Sequence, residues 1–433
     1  MLYDLPSLPP KVQRRSQNHY LTFNFMNGLS YRCVGETVVV LAALAMKCPD
    51  YIVALLSAMM FLGYLTLPLG RFTCARWGAT VTQMIFWTAR NLAALGIVVA
   101  AVLSIVGWYR TAVALLLLCS FTFYGCRAAG LVSNMPLLGC IAQDNCGRFL
   151  QFNQAVFYVG SCISLVAMGW FLQSHRGLAS ICIVMGTGAA IGLLSVLVLR
   201  GVDETATLRE SSRQPVLPQL RHAFHDRIFL KLLLANFCLN LCLILAVQNQ
   251  ILAIKRSYGA SDWTAMLYSL VMCAGGIFFT YLAAAVVKYL GPRQILLITL
   301  TALAGLCLAW WIAPSTLNAW LFIPLFAIAG GAGALFDSCV AHYFLASVPR
   351  ENQVICSICN YLLAGGGAGA VGLIGVGTLL RHLVPKDLPD AEVLGAYQHF
   401  YAVGLALCLL SLWAVAALPP LPMELRTPPK HGV

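Results

Sequence analysis

Apolar stretches long enough to cross a bilayer recur along the chain from about residue 20 to residue 418, divided by short polar turns. A hydrocarbon core of ~30 Å takes about 20 apolar residues per helix. The runs near 20–46, 51–70, 80–107, 111–138, 150–173, 178–200, 228–254, 262–288, 292–313, 316–346, 352–382 and 393–418 meet that requirement. The pattern predicts an all-α integral membrane protein of twelve transmembrane helices. A longer polar gap at 201–227, carrying Pro215 and Pro218, divides the runs six and six. The expected organisation is therefore a tail at 1–19, a six-helix bundle at 20–200, a linker at 201–227, a second six-helix bundle at 228–418 and a tail at 419–433.

Hydrophobic residues make up 60% of the chain and charged residues 10%, against roughly a quarter charged in ordinary globular domains. Connections this short leave no room for a soluble catalytic domain. The formal net charge of +12 could suggest a nucleic-acid partner, but the charges follow sidedness. With 1–19 placed in the cytoplasm, the segments on that side hold more than twice as many Lys and Arg as those opposite. This positive-inside bias sets both termini in the cytoplasm, on a plasma or inner membrane, and argues against nucleic acid.

Most of the 17 cysteines lie in apolar runs, where they behave as small buried hydrophobes. Cys356 and Cys359 form a CxxC with no second pair or nearby His to complete a zinc site, so neither metal nor cofactor is expected. His222, His225 and Asp226 read as the end of a basic amphipathic segment on the membrane surface rather than as metal ligands. There is no HExxH, no nucleophile–base set and no GxxxxGK[ST] phosphate loop, which argues against an enzyme and against ATP as a driving force.

Corresponding turns of the two halves echo each other. Gly70-Arg71-Phe72-Thr73-Cys74-Ala75-Arg76-Trp77-Gly78 joins spans two and three, and Lys288-Tyr289-Leu290-Gly291-Pro292-Arg293 joins spans eight and nine. Asp144-Asn145-Cys146-Gly147-Arg148 precedes span five, as Pro349-Arg350-Glu351-Asn352 precedes span eleven. With Arg127-Ala128-Ala129-Gly130 in span four, the six-plus-six layout resembles the major facilitator superfamily of secondary transporters over essentially the whole chain. One departure stands out: the family's usual turn after span two has an acid between its glycine and arginines, and Gly70–Gly78 has none. The resemblance implies two bundles around a central cavity lined by spans one, four, seven and ten.

Ionisable groups at mid-membrane cost several kcal/mol and are functional candidates by default. Span one carries Asn24, Asn27, Ser30, Tyr31, Arg32 and Glu36. Arg32 and Glu36, four residues apart on one helical face, read as an anion contact with a proton-carrying partner, or as a pair that neutralises itself. For Arg127 the resemblance implies a role in coupling or substrate handling, as one of the substrate contacts; by itself it reads equally as an interhelical packing residue. Arg90, beside Trp87 and Asn91, reads as a snorkelling or interhelical residue before a substrate contact. In span ten, Asp337 and His342 form a candidate proton site, His342 also reading as a neutral hydrogen-bonded residue. Asn236 and Asn240 share a face of span seven and suit either a cavity wall or interhelical bonds. Gln248, Arg71, Arg76, Asp144 and Arg148 are the candidate gating residues.

The expected function is secondary transport of a small metabolite by alternating access, proton-coupled, by a monomer in a lipid bilayer. The excess of buried arginines over acids favours an anionic or zwitterionic substrate. Drug or metabolite efflux on the same fold, and a transport-inactive membrane sensor, are the alternatives.

Overall fold

The computed structural model describes residues 2–3, 7–48, 52, 56, 59–60, 62–142, 146–175, 177–213, 216–260, 262–349, 352–383 and 390–421. Among them, ten helical segments are long and apolar enough to cross a membrane: Ala79–Ile105, Tyr109–Ala142, Cys146–Ser174, Leu178–Leu199, Arg227–Tyr258, Leu267–Val287, Tyr289–Trp311, Ala319–Ser347, Gln353–Leu380 and Glu392–Ala416. These are spans three to twelve of the sequence pattern. Part of span two, at 51, 53–55, 57–58 and 61, lies outside the described residues. The outward faces of the spans stay apolar: Leu410 and Trp413 of span twelve are 73% and 72% exposed, a surface that suits lipid and not water.

Span one departs from expectation. Its helix starts early, at Pro10, runs to Val34, breaks at Gly35 and resumes as Glu36–Ala45. Pro at the first helical position suits the start, because its missing N–H would be unpaired there anyway. Gly35 is extended, with φ −76° and ψ −178°. The break falls between Arg32 and Glu36, so the two do not share one continuous helical face.

Spans eight and nine are separated where Gly291, at φ 72°, precedes Pro292. The left-handed conformation suits glycine, and proline cannot supply the helical N–H. Two spans contain π-helical turns, Ile244–Gln248 in span seven and Asn360–Gly367 in span eleven. Such turns recur at functional positions in helices.

By contacts, the chain forms two compact units. The first comprises Met1–Gln143, Val156–Leu220 and Pro349–Ile358; the second comprises Asp144–Ala155, Arg221–Val348 and Cys359–Val433. Each has its own glycine-mediated helix crossing. In the first, a Cβ on Gly28 would overlap the Phe157 carbonyl, and one on Gly160 would overlap that of Phe25. In the second, Gly275 faces the Ala327 carbonyl and Gly330 that of Met272. Small residues let helices approach to backbone contact in lipid, where apolar burial no longer drives association.

Candidate functional site

The first unit builds its polar centre on span three. Trp87, Arg90 and Asn91 stand three and four positions apart, hence on one helical face. Two glycines seat them: a Cβ on Gly130 of span four would overlap the Trp87 ring, and one on Gly192 of span six would overlap Asn91. Asn91 Nδ2 donates back to the Trp87 carbonyl at 2.8 Å. Between them Arg90 is 1% exposed. Its Nη2 donates to Asn27 Oδ1 at 2.9 Å and to Asn91 Oδ1 at 3.4 Å. Asn27 Oδ1 also accepts from Trp87 Nε1 at 3.2 Å. The guanidinium stands over the rings of Trp87, at 5.1 Å, and Phe123, at 5.7 Å.

Arg127 stands over the Tyr31 ring at 5.2 Å, and its charge acts on Arg90. Asn27, Tyr31, Arg32 and Arg127 are all half-buried. The structure thus brings the span-one candidates Asn27 and Tyr31 together with Arg127. It also adds Arg90, which is wholly buried and so does not snorkel. The side chain of Glu36 and the whole of Asp144 lie outside the described residues.

The second unit is neutral where the first is charged. Asn236 Nδ2 donates to Asn360 Oδ1 at 2.7 Å, and Asn240 Nδ2 donates to Asn236 Oδ1 at 3.0 Å and to its carbonyl at 2.9 Å. Asn360 opens the π-helical turn of span eleven. It was missed in the sequence because a lone Asn before Tyr361 carries no periodic signal.

A second polar group joins spans five and ten: Ser338 Oγ donates to Gln151 Oε1 at 2.8 Å, and Gln151 Nε2 reaches Cys339 Sγ at 3.2 Å. Asp337 and His342 differ in burial. Asp337 lies on an exposed face, with Gln154 Nε2 3.5 Å from its carboxylate. His342 is 5% exposed, its ring filling the space left by the absent side chain of Gly147. Gln248 and Arg148 are exposed.

The gating candidates at the turn after span two meet a partner the sequence did not reveal. Residues 201–213 of the expected linker are fastened to the first unit along their length. Asp203 takes a 2.6 Å ion pair from Arg15, and its N–H donates to Ser16 Oγ at 3.0 Å. Glu204, in a two-residue strand paired with Leu2–Tyr3, accepts from the N–H groups of Ala79 at 2.6 Å and Thr80 at 3.4 Å. It therefore caps the amino-terminal end of span three, where orphan N–H groups and the helix dipole favour an anion. Gly78, at φ 92°, leaves the space its carboxylate fills.

One helical turn on, Arg209 donates to the Arg76 carbonyl at 2.7 Å and Arg213 to the Ala75 carbonyl at 2.9 Å. The preceding helix thus has its carboxyl end capped by cations. Arg76 itself is exposed, over its neighbour Trp77 at 5.1 Å. An acid from past span six thus stands at Gly78, the end of a turn that carries none of its own. Burial pushes the Glu204 carboxyl up to about 7, against the opposing pull of its two N–H donors and Arg209.

The family model of the Major Facilitator Superfamily matches residues 128–373. By sequence, no curated protein matches the chain. Solved structures match it over nearly all its length. The MFS proton:xylose symporter XylE is 14% identical at a TM-score of 0.68, covering 96% of this chain and 98% of that one. A bacterial homologue of the iron transporter ferroportin in an outward-facing state is 15% identical at 0.72, covering 93% and 99%. The human organic anion transporter is 12% identical at 0.66, covering 93% and 100%. At these identities the likeness establishes a shared fold.

Proposed function

Since the chain belongs to the major facilitator superfamily, whose neighbours here transport rather than catalyse, we propose that it is a secondary active transporter of a small anionic or zwitterionic metabolite, working by alternating access. Membrane transport follows from the family. The substrate class rests on one observation, two arginines held by the same stretch of span one in the first unit: Arg127 over the Tyr31 ring and Arg90 bonded to Asn27. Arg32, Asn27, Tyr31 and Arg127 are the proposed substrate contacts there, with Asn236 and Asn240 the corresponding amides of the second unit.

Proton coupling is the proposed energy source, in keeping with the symporters among the structural neighbours, and Glu36, Asp337 and His342 are its candidate carriers. The charge bias of the loops supports cytoplasmic placement of 1–19 and 419–433, and the working unit is proposed to be a monomer of two bundles, 20–200 and 228–418.

Uptake into proteoliposomes tests both parts. Uptake of an anion that rises with external acidity and is lost in Arg127→Gln is the expected result. Transport confined to cations or uncharged solutes would overturn the substrate class. Indifference to both proton and sodium gradients would overturn the coupling.

A further inference from the structure

Three asparagines of the second unit form a ladder whose polarity can be followed atom by atom. Asn240 Nδ2 donates to the Asn236 backbone carbonyl at 2.9 Å. A carbonyl only accepts, so this bond fixes which end of the Asn240 amide is the nitrogen. The same nitrogen reaches the Asn236 side chain at 3.0 Å, which therefore presents its oxygen. Asn236 is left with its nitrogen for Asn360, at 2.7 Å, and Asn360 accepts with its oxygen. One backbone group thus sets the direction of the whole ladder.

The bonds between the three members are closed, but each end has an atom left over. At one end stands Asn240 Oδ1, an acceptor on a half-buried residue. At the other stands Asn360 Nδ2, a donor on a residue 3% exposed. Among the described residues neither atom has a hydrogen-bond partner. An unpaired donor at that depth costs free energy in the resting protein.

Two backbone irregularities flank the ladder. The π-helical turn of span eleven begins at Asn360 itself, and that of span seven begins at Ile244, one helical turn beyond Asn240. The two spans touch there, since a Cβ on Gly372 would meet Ile244 Cδ1 at 2.8 Å. Such turns recur at functional positions.

An open acceptor and an open donor suit a group that does both. A carboxylate only accepts and an ammonium only donates, so either leaves one end of the ladder unpaired. A hydroxyl donates and accepts, so one hydroxyl, or two on neighbouring carbons, satisfies both ends. We propose that the second unit recognises hydroxyl groups of the substrate, which makes the metabolite a hydroxylated acid, with Asn240 and Asn360 as the contacts. Asn236, both of whose amide atoms are engaged, is the positioning residue that sets their polarity. This rests on the anionic or zwitterionic reading above and adds the neutral part of the substrate to it.

The test is ligand-induced thermal stabilisation of the detergent-purified full chain at fixed ionic strength and pH 7, since a ligand that binds only the folded state raises the melting temperature. The probes are pairs of equal charge that differ in hydroxyls, glycerate against propionate and serine against alanine, with glycerol as the uncharged control. In the wild type, glycerate or serine should reach half-maximal shift at a concentration about tenfold below that of its partner, the scale of two net hydrogen bonds. Asn240→Leu strips the open acceptor from a half-buried position. It should lose that advantage while keeping the wild-type response to propionate or alanine. Asn360→Ala, which removes the open donor, should do the same. A merely structural role would change the response to both members of a pair alike.

Equal response of the wild type to both members of each pair overturns the proposal and leaves the anionic or zwitterionic reading standing. So does a hydroxyl preference that survives in both variants. If glycerol stabilises as well as glycerate, the charge reading falls and the hydroxyl contacts stand. If no probe stabilises the wild type, both fall. Should one variant fail to fold, the other and the wild-type pairs still decide.

Discussion

The two units solve the same problem, polar chemistry inside a membrane bundle, in opposite ways. The first buries a charge among neutral partners: Arg90 rests on amides and rings. The second buries amides that satisfy each other: Asn240 donates to Asn236, which donates to Asn360. A closed set of neutral hydrogen bonds contributes modestly to stability and is expensive to open. An ion with no counter-ion among the described residues costs free energy in the resting protein and is a functional candidate. The second unit's polar cluster therefore reads as partly structural, and the first unit's as a functional candidate.

The comparison rests on both units being equally well-packed scaffolds, and the largest expected effect tests that. Gly330→Ala should force spans eight and ten apart, because the new Cβ meets the Met272 backbone and no side chain can yield. A cost of about 3 kcal/mol is expected, at the upper end for overpacking, seen as a lower melting temperature and poor recovery of monodisperse protein. Gly130→Ala meets a side chain, the Trp87 ring. It should spare the fold more and disturb the seat of Arg90.

Next in size is the amide ladder. Asn236→Leu strands the Oδ1 of Asn360 and the Nδ2 of Asn240, which retains only the residue-236 carbonyl. A loss of about 2 kcal/mol follows from leaving a buried polar group unpaired. Asn236→Leu with Asn360→Leu should recover part of it. A double-mutant cycle in thermal unfolding measures the coupling. Additive costs would mean that the ladder is not a unit, and the contrast with Arg90 would lose half its basis.

Smaller again is the response to pH, which separates the halves by chemistry: amides do not titrate, and Glu204 does. Its carboxyl stands at about 7 in the folded protein against an ordinary 4.5. The folded state holds the proton more tightly, so the stabilisation is full below about pH 4.5 and lost as the pH rises through about 7. Relative to Glu204→Gln, the wild type should lose about 1 kcal/mol between pH 6 and pH 8. A pH-independent difference in melting temperature would show the carboxyl to be ionised throughout.

The architecture was legible in the sequence because membrane spans announce themselves by length and apolarity, and loop charges by side. What stayed hidden depends on distant pairing. Nothing near Gly78 signals Glu204, which lies at the far end of four more spans. The one local hint is its own setting, acids just past span six followed by Arg209 and Arg213 at helical spacing. The break at Gly35 was equally opaque, since one glycine in an apolar run is compatible with an unbroken helix. Helical periodicity did carry the Trp87–Arg90–Asn91 face, but not its depth. Burial depends on Gly130 and Gly192 of other spans, whose role as seats shows only in the assembled bundle.

The smallest expected effect discriminates best. Arg90→Met removes the buried charge, keeps much of the side-chain volume and leaves Asn27 Oδ1 still accepting from Trp87 Nε1. The lost hydrogen bonds and ring contacts oppose the relieved desolvation, so the ligand-free protein should change by no more than about 1 kcal/mol in either direction. Replacing buried ions with apolar groups is often neutral or stabilising. A loss of roughly 3 kcal/mol or more is the signature of breaking a buried ion pair. That outcome would mean that Arg90 has a carboxylate partner in the resting protein, and the first unit would then be as self-satisfied as the second. Near-neutral stability would separate the two strategies within one chain, leaving a buried cation that the fold tolerates on amides and rings alone.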